Sequence, residues 1–553
     1  MFEAIHRAVS ELSLGGAVIL VSTALLLVLA IIYNDRLLFV SKSKDVPMVS
    51  GGLPLVGHLK WLLDLAARRV KFLDEMVEFQ RTVGKGGRPF SISFPALGGK
   101  VTVINRPEYI KWCQKTNFPN YIKGDSFRES MGDVMGIHGI FVADGEPWKR
   151  QRKMASHIFS VGNFRTHVQS AIQKDLTTMK SLLNDVSQRG TQVNLADVFF
   201  RFTLSSFSQM AFSADIKCLP AEAAGLNEVV EFAAAFDYAQ QVMENRFFEL
   251  LGTFMERFNE KGRNMRKATD VLHSFCYKII DLRLAARREG TVQGAVSSKG
   301  DKDLLALFMD MGLERDELLP VVLNFLIAGR DTTAQSLAWL FYEFALHPEW
   351  MEKCRQEAID YLGKGDTARL MGYDDLSALT CMHACFYEAI RLHPAVPKNV
   401  KKVVKDDVIR PYAQGGDEKD SSLTSQPGDL PDIVVKKGES VAWSDYGMAR
   451  MPEIWGEDCL VYNPERFIET RPDGTKTIKT YSQYKFHAFN AGPRLCLGQT
   501  LATYEGVAVM AVILSDYNVL FDHEALRRDP PTYADSLTHP LVNPYTVRFE
   551  KRE

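Results

Sequence analysis

Residues 486–506 read FHAFNAGPRLCLGQTLATYEG and are the most informative stretch of the sequence. A single Cys among apolar residues is ordinarily a small core residue, but the neighbours of Cys496 are unusual. Gly492 and Gly498 permit a tight turn and the close approach of a flat ligand. Arg494 places a fixed cation two residues away, where it favours a thiolate or pairs with a ligand's carboxylate. Apolar residues at helical spacing follow, so Cys496 is expected on a Gly-rich loop entering a helix, whose dipole favours negative charge.

Five residues of this stretch match the pattern F-x-x-G-x-R-x-C-x-G: Phe489, Gly492, Arg494, Cys496 and Gly498. This pattern resembles the haem-binding loop of the cytochrome P-450 family. The resemblance implies that these residues bind haem b and that the Cys496 thiolate is the axial ligand of its iron. It also implies the fold of that family, which is mainly α with a smaller β part.

The segment FYEAIRLHP carries Glu388 and Arg391 three residues apart on a predicted helix, where their side chains can meet. Alone, such a pair is usually a surface ion pair that contributes little to stability. Beside the Cys496 loop it resembles the buried E-x-x-R pair of the family, and Arg466 in the later NPERF segment resembles the Arg that joins it. The resemblance implies that these three residues support the haem loop and take no part in the chemistry.

A long apolar helix pattern covers residues 318–348, and small and polar residues interrupt its centre. A buried carboxylate such as Asp331 is costly without a task or a partner, and such local inconsistency is typical of functional sites. A kinked core helix is the alternative. The segment resembles the oxygen-binding helix of the family, which implies that Thr332 hydrogen-bonds dioxygen and that Asp331 relays protons. Ala328 stands where one group of fatty-acid hydroxylases has a Glu that esterifies the haem, so we expect non-covalent haem.

Three residues elsewhere resemble the propionate-binding positions of the family. Trp148 and Arg152 are four residues apart in DGEPWKRQRKMASHIFS, as in the pattern W-x-x-x-R. Without the resemblance, this segment is equally consistent with a basic helix face that is exposed to solvent. Lys401 falls where many members have an Arg, so its match is in charge only. By resemblance, all three contact a haem propionate.

The composition excludes several classes of protein. Of 553 residues, 46% are hydrophobic and 24% are charged, which is typical of a globular chain. A formal net charge of −2 gives no electrostatic reason to bind nucleic acid. Eight Cys residues without a C-x-x-C pair argue against a disulfide scaffold or a zinc ribbon. Cys381, His383 and Cys385 look like metal ligands, but only the two Cys share a helix face, which favours core packing. Three isolated histidines have no ligand spacing: His138, His157 and His487.

The N-terminal region contains an uncharged stretch of 20 residues, from Leu14 to Tyr33. A helix of that length crosses a bilayer, and the basic residues that follow it predict a cytoplasmic C-terminal side. The alternative, a cleaved signal peptide, would have a shorter apolar region and a small-residue cleavage site. We therefore expect residues 1–34 to be an uncleaved, single-pass anchor in the lipid of the endoplasmic reticulum membrane, with the catalytic domain facing the cytoplasm.

The remaining sequence indicates one connector and one large domain. Pro and Gly residues make 35–58 a short, stiff connector, and 59–553 is expected to be a single, mostly helical monooxygenase domain. A strand-like pattern at 89–104 predicts part of its smaller sheet region. Two polar segments, 290–301 and 411–431, have the composition of mobile loops.

The resemblance implies a monooxygenase that inserts one oxygen atom from dioxygen into its substrate. Because the sequence contains no flavin or nicotinamide motif, electrons are expected from NADPH through a separate cytochrome P-450 reductase. Lys149, Arg150 and Lys153 are candidates for its docking face. In detail, segments such as YGMARMPEIWGED and NFPNYIKGDSF resemble plant fatty-acid ω-hydroxylases and yeast alkane and fatty-acid hydroxylases. We therefore expect a long-chain lipid substrate that is hydroxylated at or near its end.

The same resemblance predicts where the substrate lies. The substrate-contacting candidates are Phe325, Ala328, Val396 and Leu537. The candidates for its carboxylate are Lys123, Arg128 and Arg246, and no spacing singles one out. Two alternatives remain open: oxidation of a sterol, terpenoid or xenobiotic, and a membrane haem protein without catalysis. The Asp331–Thr332 pair argues against the second alternative.

Overall fold

The computed structural model describes residues 14–32, 46–53, 56–68, 71–94, 97, 99–159, 164–249, 252–289, 303–364, 368–412 and 429–552. The predicted polar segment 290–301 lies outside these described residues. So do residues 35–45 and 54–55 of the predicted connector and residues 413–428 of the second polar segment.

Helices dominate the described residues. They are α1 (Leu14–Ile32), α2 (Leu59–Arg68), α3 (Phe72–Thr82), α4 (Pro107–Lys111), α5 (Gly124–Met135), α6 (Gly145–Ala155), α7 (Gln169–Arg189), α8 (Leu195–Phe212), α9 (Glu231–Arg246), α10 (Gly252–Met255), α11 (Glu260–Arg288), α12 (Leu304–Asp310), α13 (Arg315–Leu346), α14 (Pro348–Leu362), α15 (Thr380–Leu392), α16 (Asp445–Met448), α17 (Pro452–Trp455), α18 (Gln499–Asp516) and α19 (His523–Arg528).

The strands are shorter. They are β1 (Phe90–Phe94), β2 (Gly99–Val103), β3 (Tyr121–Ile122), β4 (Val193–Asn194), β5 (Asn399–Val403), β6 (Asp407–Ile409), β7 (Ile433–Val435), β8 (Ser440–Trp443), β9 (Ile468–Thr470), β10 (Lys476–Ile478), β11 (Tyr517–Phe521), β12 (Thr532–Tyr533), β13 (Leu541–Val542) and β14 (Thr546–Lys551). The expectation of a mainly α fold with a smaller β part is confirmed.

The longest helix, α13, is the one whose interrupted apolar pattern the sequence singled out. Its N-terminus is capped by the Glu317 carboxylate, which accepts a hydrogen bond from the Glu314 N–H at 2.9 Å. With 32 residues it is about 48 Å long, and it packs against α8, α11, α15 and α18. Its central part is buried on all sides, which is why its sequence is apolar all round rather than amphipathic.

The largest sheet has the strand order β1-β2-β8-β5-β3. Strands β2 and β8 are parallel, and the other neighbouring pairs are antiparallel. This register places Lys401 of β5 opposite Val441 of β8. Strands β1 and β2 match the strand pattern predicted at 89–104. Because residues of β1, β2, β5 and β8 also line a large cavity, this sheet forms part of the wall of the site.

Helix α1 covers most of the uncharged N-terminal stretch. The burial of residues 15, 16 and 18–28 of this helix is described, and most of these residues are exposed, including Ile19 at 69% and Val21 at 65%. Within the part of the chain that the structure describes, no helix combines the length and the hydropathy that crossing a membrane requires.

Candidate functional site

A cavity of about 440 Å³ joins the segments that the sequence singled out. Its wall includes Cys496 from the Gly-rich loop, Trp148 and Arg152 from α6, and Thr332 from α13. Most of the other lining side chains are apolar, and many are aromatic. An apolar cavity with a few convergent polar groups is the usual form of a small-molecule site.

The loop that carries Cys496 depends on a backbone hydrogen bond and on one glycine. The Cys496 N–H donates to the Phe489 carbonyl at 2.8 Å, which closes the loop over the 3-10 turn Gly492–Arg494. Gly492 has a φ of +60°, and a Cβ there would lie 2.2 Å from the Gln114 carbonyl oxygen. Both the backbone conformation and the close approach therefore require glycine.

A chain of polar side chains holds this loop in place. The His487 ring lies between Asp445 Oδ1, at 2.5 Å from Nδ1, and Gln114 Oε1, at 2.9 Å from Nε2. Gln114 Nε2 in turn donates to Asn490 Oδ1 at 2.6 Å, and Asn490 has a φ of +63°. His487, which sequence spacing left without a role, thus positions the loop. Its position two residues before Phe489 was its only signal in the sequence.

The Cys496 side chain is exposed to the cavity but surrounded by protein. Burial raises the pKa of its thiol, whereas the Gly498 N–H and the positive charge of Arg152 lower that pKa. Arg494, the cation that sequence proximity offered as the partner of the sulfur, donates instead to Asp144. The cation that acts on the sulfur is Arg152 of helix α6, so of the two roles that the sequence offered for Arg494 the pairing with a ligand's carboxylate remains.

Four cations lie together around Arg494. Lys123, Arg152 and Arg494 line the cavity, and Lys401 interacts with Lys123 and Arg494 from outside its wall. Burial and repulsion from Arg494 lower the pKa of Lys123 to about 7, and burial also lowers the pKa of Lys401. The Asp144 carboxylate among them already accepts hydrogen bonds from Arg494 and from two backbone N–H groups, at 2.9–3.0 Å. Enclosed cations are costly unless an anion compensates them, so the site suits a ligand with carboxylates.

Arg494 is rigidly held. Its guanidinium carbon lies 4.3 Å from the centre of the Trp148 ring, and its Nη2 donates to the Ala143 carbonyl at 2.9 Å and to Asp144 at 3.0 Å. Burial lowers the pKa of Arg494 to about 10, which leaves it protonated at neutral pH. Its Nε has no partner among the described atoms, so this donor is available to a ligand.

Thr332 and Asp331 are adjacent on α13 but lie in different surroundings. Thr332 lines the cavity, and its hydroxyl donates to the Ala328 carbonyl at 2.9 Å. Asp331 is buried and is absent from the cavity wall. Its Oδ1 accepts from Arg330 Nη1 at 2.7 Å, and its Oδ2 has no partner in the described part of the chain. Burial raises the pKa of Asp331 to about 6, although Arg330 opposes the shift.

Arg330 connects Asp331 with the surface. The same Nη1 lies 3.3 Å from Asp237 of α9, whose side chain is 56% exposed, and the guanidinium packs on the Phe200 ring at 4.6 Å. A guanidinium does not lose its proton in a protein, so Arg330 is not a proton carrier. It holds one buried and one exposed carboxylate close to a single cation, an arrangement that the sequence analysis did not predict.

Glu388 and Arg391 of α15 make the buried contact that the sequence predicts. Two hydrogen bonds of 2.7 and 2.8 Å join them, and Arg466 donates to the same carboxylate at 3.2 Å. Arg391 also donates to the carbonyls of Ala449 and Cys459. None of the three charged residues lines the cavity, as expected of residues that support the loop.

The substrate-contacting candidates all line the cavity. They are Phe325, Ala328, Val396 and Leu537. The candidates for the substrate carboxylate fare differently. Arg246 is 4% exposed and is engaged by Asp133 at 2.8 Å and Glu256 at 2.6 Å, so its proposed role is wrong. Arg128 pairs with Asp125 at 2.7 Å and is not on the wall. Lys123 lines the cavity but belongs to the cations around Arg494.

Lys398 was missed by the sequence analysis, because it precedes β5 without any motif of its own. Among the described residues, it is the one cation of the cavity wall outside the group around Arg494. Its Nζ lies 3.0 Å from Glu244 of α9 and donates to the Ser536 carbonyl at 3.0 Å. Glu244 also lines the cavity, and burial raises the pKa of its carboxyl.

Comparisons with known proteins add an independent result. A family model described as Cytochrome P450 matches residues 47–413 and 423–546. The chain is 37% identical over 520 residues to "Cytochrome P450 monooxygenase cyp1" of Mycosarcoma maydis, which covers 91% of this chain and 75% of the relative. It is 30% identical over 471 residues to "Cytochrome P450 94B1" of Arabidopsis thaliana, which covers 84% and 85%. It is 27% identical over 508 residues to "Cytochrome P450 94A1" of Vicia sativa, which covers 90% of each chain.

Proposed function

The chain belongs to the cytochrome P450 family and is a monooxygenase, and we propose that it hydroxylates a long-chain fatty acid at or near its terminal carbon. The cavity carries this proposal, because its mostly apolar wall extends to Cys496 and Thr332. Terminal C–H bonds are stronger than those of the neighbouring methylenes, so attack at the end of a chain needs a channel that presents the end first. The resemblance of several segments to fatty-acid hydroxylases supports the same substrate class.

Family membership implies a haem iron with a cysteine thiolate ligand, and the residues of the cavity fit that group. We assign the iron ligand to Cys496, because it is the one Cys of the cavity wall within the described residues. The cations around Arg494 fit the two propionates, which would compensate their buried charge. The bound, non-covalent haem supplies the activation of dioxygen.

We assign oxygen handling to the centre of α13. The Thr332 hydroxyl is on the wall. It donates a hydrogen bond to the Ala328 carbonyl, and the same hydrogen can be donated to dioxygen instead. Asp331, with a pKa raised to about 6, can bind and release a proton near neutral pH. Arg330 keeps its proton and holds the buried Asp331 carboxylate near the exposed Asp237 carboxylate, which supports proton uptake by Asp331 from the side of the molecule that reaches the surface.

We assign the acid end of the substrate to Lys398. The carboxylate of the fatty acid then has to replace Glu244, or join it, as the partner of the Lys398 ammonium group. Burial raises the pKa of Glu244 and so disfavours its charged form beside Lys398, which favours this exchange.

The decisive experiment uses saturated fatty acids of graded length with the haem-loaded enzyme, NADPH and reductase. The spin-state shift on binding should be largest at one chain length, and the product should carry a hydroxyl on the terminal or penultimate carbon. Tight binding of sterols without a response to any fatty acid would overturn the substrate proposal and leave the monooxygenase.

The role of Lys398 has its own matched pair of variants. Lys398→Met should weaken binding of the best fatty acid by roughly tenfold, the usual effect of losing one charge-assisted hydrogen bond. Binding of the fatty alcohol of equal length should not change. Arg128→Met, on the surface, is the control and should bind both as the wild type does. An equal loss for acid and alcohol in Lys398→Met would contradict carboxylate recognition.

We assign the supply of electrons to a separate, NADPH-dependent reductase. Lys149, Arg150 and Lys153 on α6 are exposed, and Lys149 is paired with Glu146. Their position on the helix that also bears Trp148 and Arg152 supports docking near the haem edge.

We propose, from the sequence, that the N-terminal residues anchor the protein in a membrane. Residues 1–34 contain the uncharged stretch and are followed by basic residues, which supports a single-pass anchor in the endoplasmic reticulum membrane. Residues 35–58 would then be the connector, and 59–553 the catalytic domain on the cytoplasmic side.

A further inference from the structure

Three thiol sulfurs from two helices meet away from the cavity. Cys354 comes from α14, and Cys381 and Cys385 come from α15. The Cys354 sulfur lies 3.4 Å from that of Cys385 and 3.8 Å from that of Cys381, and all three lie within 4.8 Å of one another. None of them lines the cavity, so this group, the three-thiol cluster, is separate from Cys496.

The members of the cluster differ from those that the sequence considered. His383 does not join it, because its ring packs against Tyr387 at 4.4 Å. Cys354, distant in the sequence, supplies the third sulfur instead. Within the described residues, the potential ligands that meet here are three sulfurs, with no nitrogen or carboxylate oxygen among them.

We propose that Cys354, Cys381 and Cys385 bind one soft cation, of the class of Cu(I), through three thiolates. A trigonal site with metal–sulfur bonds of about 2.3 Å separates its sulfurs by about 4.0 Å. Two of the observed sulfur–sulfur separations, 3.4 and 3.8 Å, are slightly shorter than that value, and the third is within 4.8 Å, so small side-chain rotations would complete the site. Three sulfur ligands select a soft ion, whereas structural zinc takes four ligands.

The surroundings of Cys381 suit a bound thiolate. Cys381 is the second residue of α15, where the partial positive charge of the helix N-terminus is available. Lys353 and Lys476 act on its sulfur with their positive charges. The Glu357 carboxylate is not a ligand, since its oxygens accept the N–H groups of Cys381 and Met382 at 2.8 and 2.9 Å. Cys381 is partly exposed, which gives the ion a route from solvent.

Occupation of the cluster would cross-link α14 and α15. Helix α15 carries Glu388 and Arg391 one and two turns after Cys385, and both α14 and α15 pack on α18, which follows Cys496. Each thiol releases its proton to solvent as the ion binds. A bound ion should therefore raise the melting temperature of the enzyme without changing the haem spectrum.

The test is a titration of the reduced, full-length, haem-loaded enzyme with Cd(II) alone, after removal of the reductant. Wild type should bind one equivalent, with a sulfur-to-metal charge-transfer band in the ultraviolet and an unchanged Soret band. Cys381→Ser should lose that band and bind Cd(II) at least tenfold more weakly. Because Cys381 is partly exposed, this variant should fold, which the spectrum of its reduced CO complex checks.

Cys276→Ala is the matched control, since Cys276 is buried on α11 and outside the cluster. It should bind Cd(II) as wild type does. Absence of binding in wild type, or undiminished binding in Cys381→Ser, would overturn the proposal. A disulfide between Cys354 and Cys385 in the freshly reduced enzyme, seen as a loss of two hydrogens by mass spectrometry, would also overturn it.

Discussion

Cys496 is a small side chain whose surroundings give it a reactive position. It faces the cavity, receives the Gly498 N–H and lies within the field of Arg152. If it is the iron ligand, Cys496→Ala should abolish the thiolate-type Soret shift of the reduced CO complex. Cys276→Ala, which removes a buried thiol elsewhere, should keep it. Retention of the shift in Cys496→Ala would refute the assignment.

Thr332 should affect the use of electrons rather than haem binding. Thr332→Ala removes the one hydroxyl of the Asp331–Thr332 pair that reaches the wall, so product formed per NADPH should fall by roughly tenfold or more while peroxide rises. Thr269→Ala on α11 is the control, because its hydroxyl also donates to the carbonyl four residues earlier, away from the cavity. Unchanged coupling in Thr332→Ala would remove its role.

Glu505 predicts a pH dependence of stability. It is buried on α18, and its Oε1 accepts a hydrogen bond from Ser206 at 2.7 Å. Burial raises its pKa to about 8 from an ordinary value of 4.5, so the folded state holds a proton that the unfolded state releases. Stability should therefore fall as the pH rises from about 4.5 to about 8.

The variant Glu505→Gln keeps the acceptor oxygen and removes this titration. Its melting temperature minus that of wild type should increase steadily across the same pH range. A difference independent of pH would show that Glu505 does not titrate as stated.

At the scale of elements, the loop that carries His487, Asn490 and Gly492 before helix α18 is held by contacts with distant parts of the chain. Its shape depends on the polar chain from Asp445 through His487 and Gln114 to Asn490. The loop therefore depends on α16 and on the segment around Gln114, which are far from it in sequence.

Gly492→Ala tests this constraint. The added methyl would meet the Gln114 carbonyl, so the variant should lose about 3 kcal/mol of stability and retain less haem after purification. Gly474→Ala is the control, because Gly474 also has a positive φ, +85°, but open space around its Cβ. It should cost only about 1 kcal/mol. Equal haem retention in both variants would contradict the steric argument.

At the scale of the whole molecule, the proposed anchor and the haem site should be separable. Deletion of residues 1–34 should release the enzyme from membranes after a high-salt wash, since the connector and the basic residues bind lipid only weakly. The deleted enzyme should keep the Soret shift of its reduced CO complex. A deleted form that stays in the washed membrane fraction would contradict a single anchor.

The sequence alone determined the features that adjacent residues create. The Cys496 loop, the Glu388–Arg391 pair and the interrupted centre of α13 each lie within one element, where spacing fixes which side chains are neighbours. For the same reason, the strands at 89–104 were predictable. In the structure, Cys496 and Thr332 lie on one cavity, whereas Glu388, Arg391 and Asp331 lie outside its wall.

Tertiary structure alone decided which distant partner neutralises or positions each polar group. Arg152 rather than Arg494 acts on Cys496, Arg246 is consumed by Asp133 and Glu256, and Cys354 completes the three-thiol cluster. A sequence does not distinguish between residues of one chemical type as partners of a given group. Periodicity places a residue on one face of a helix or strand but does not specify which element packs against that face. Packing of helices and strands selects one partner from many, because each buried charge or thiol must find its contact within a few ångströms.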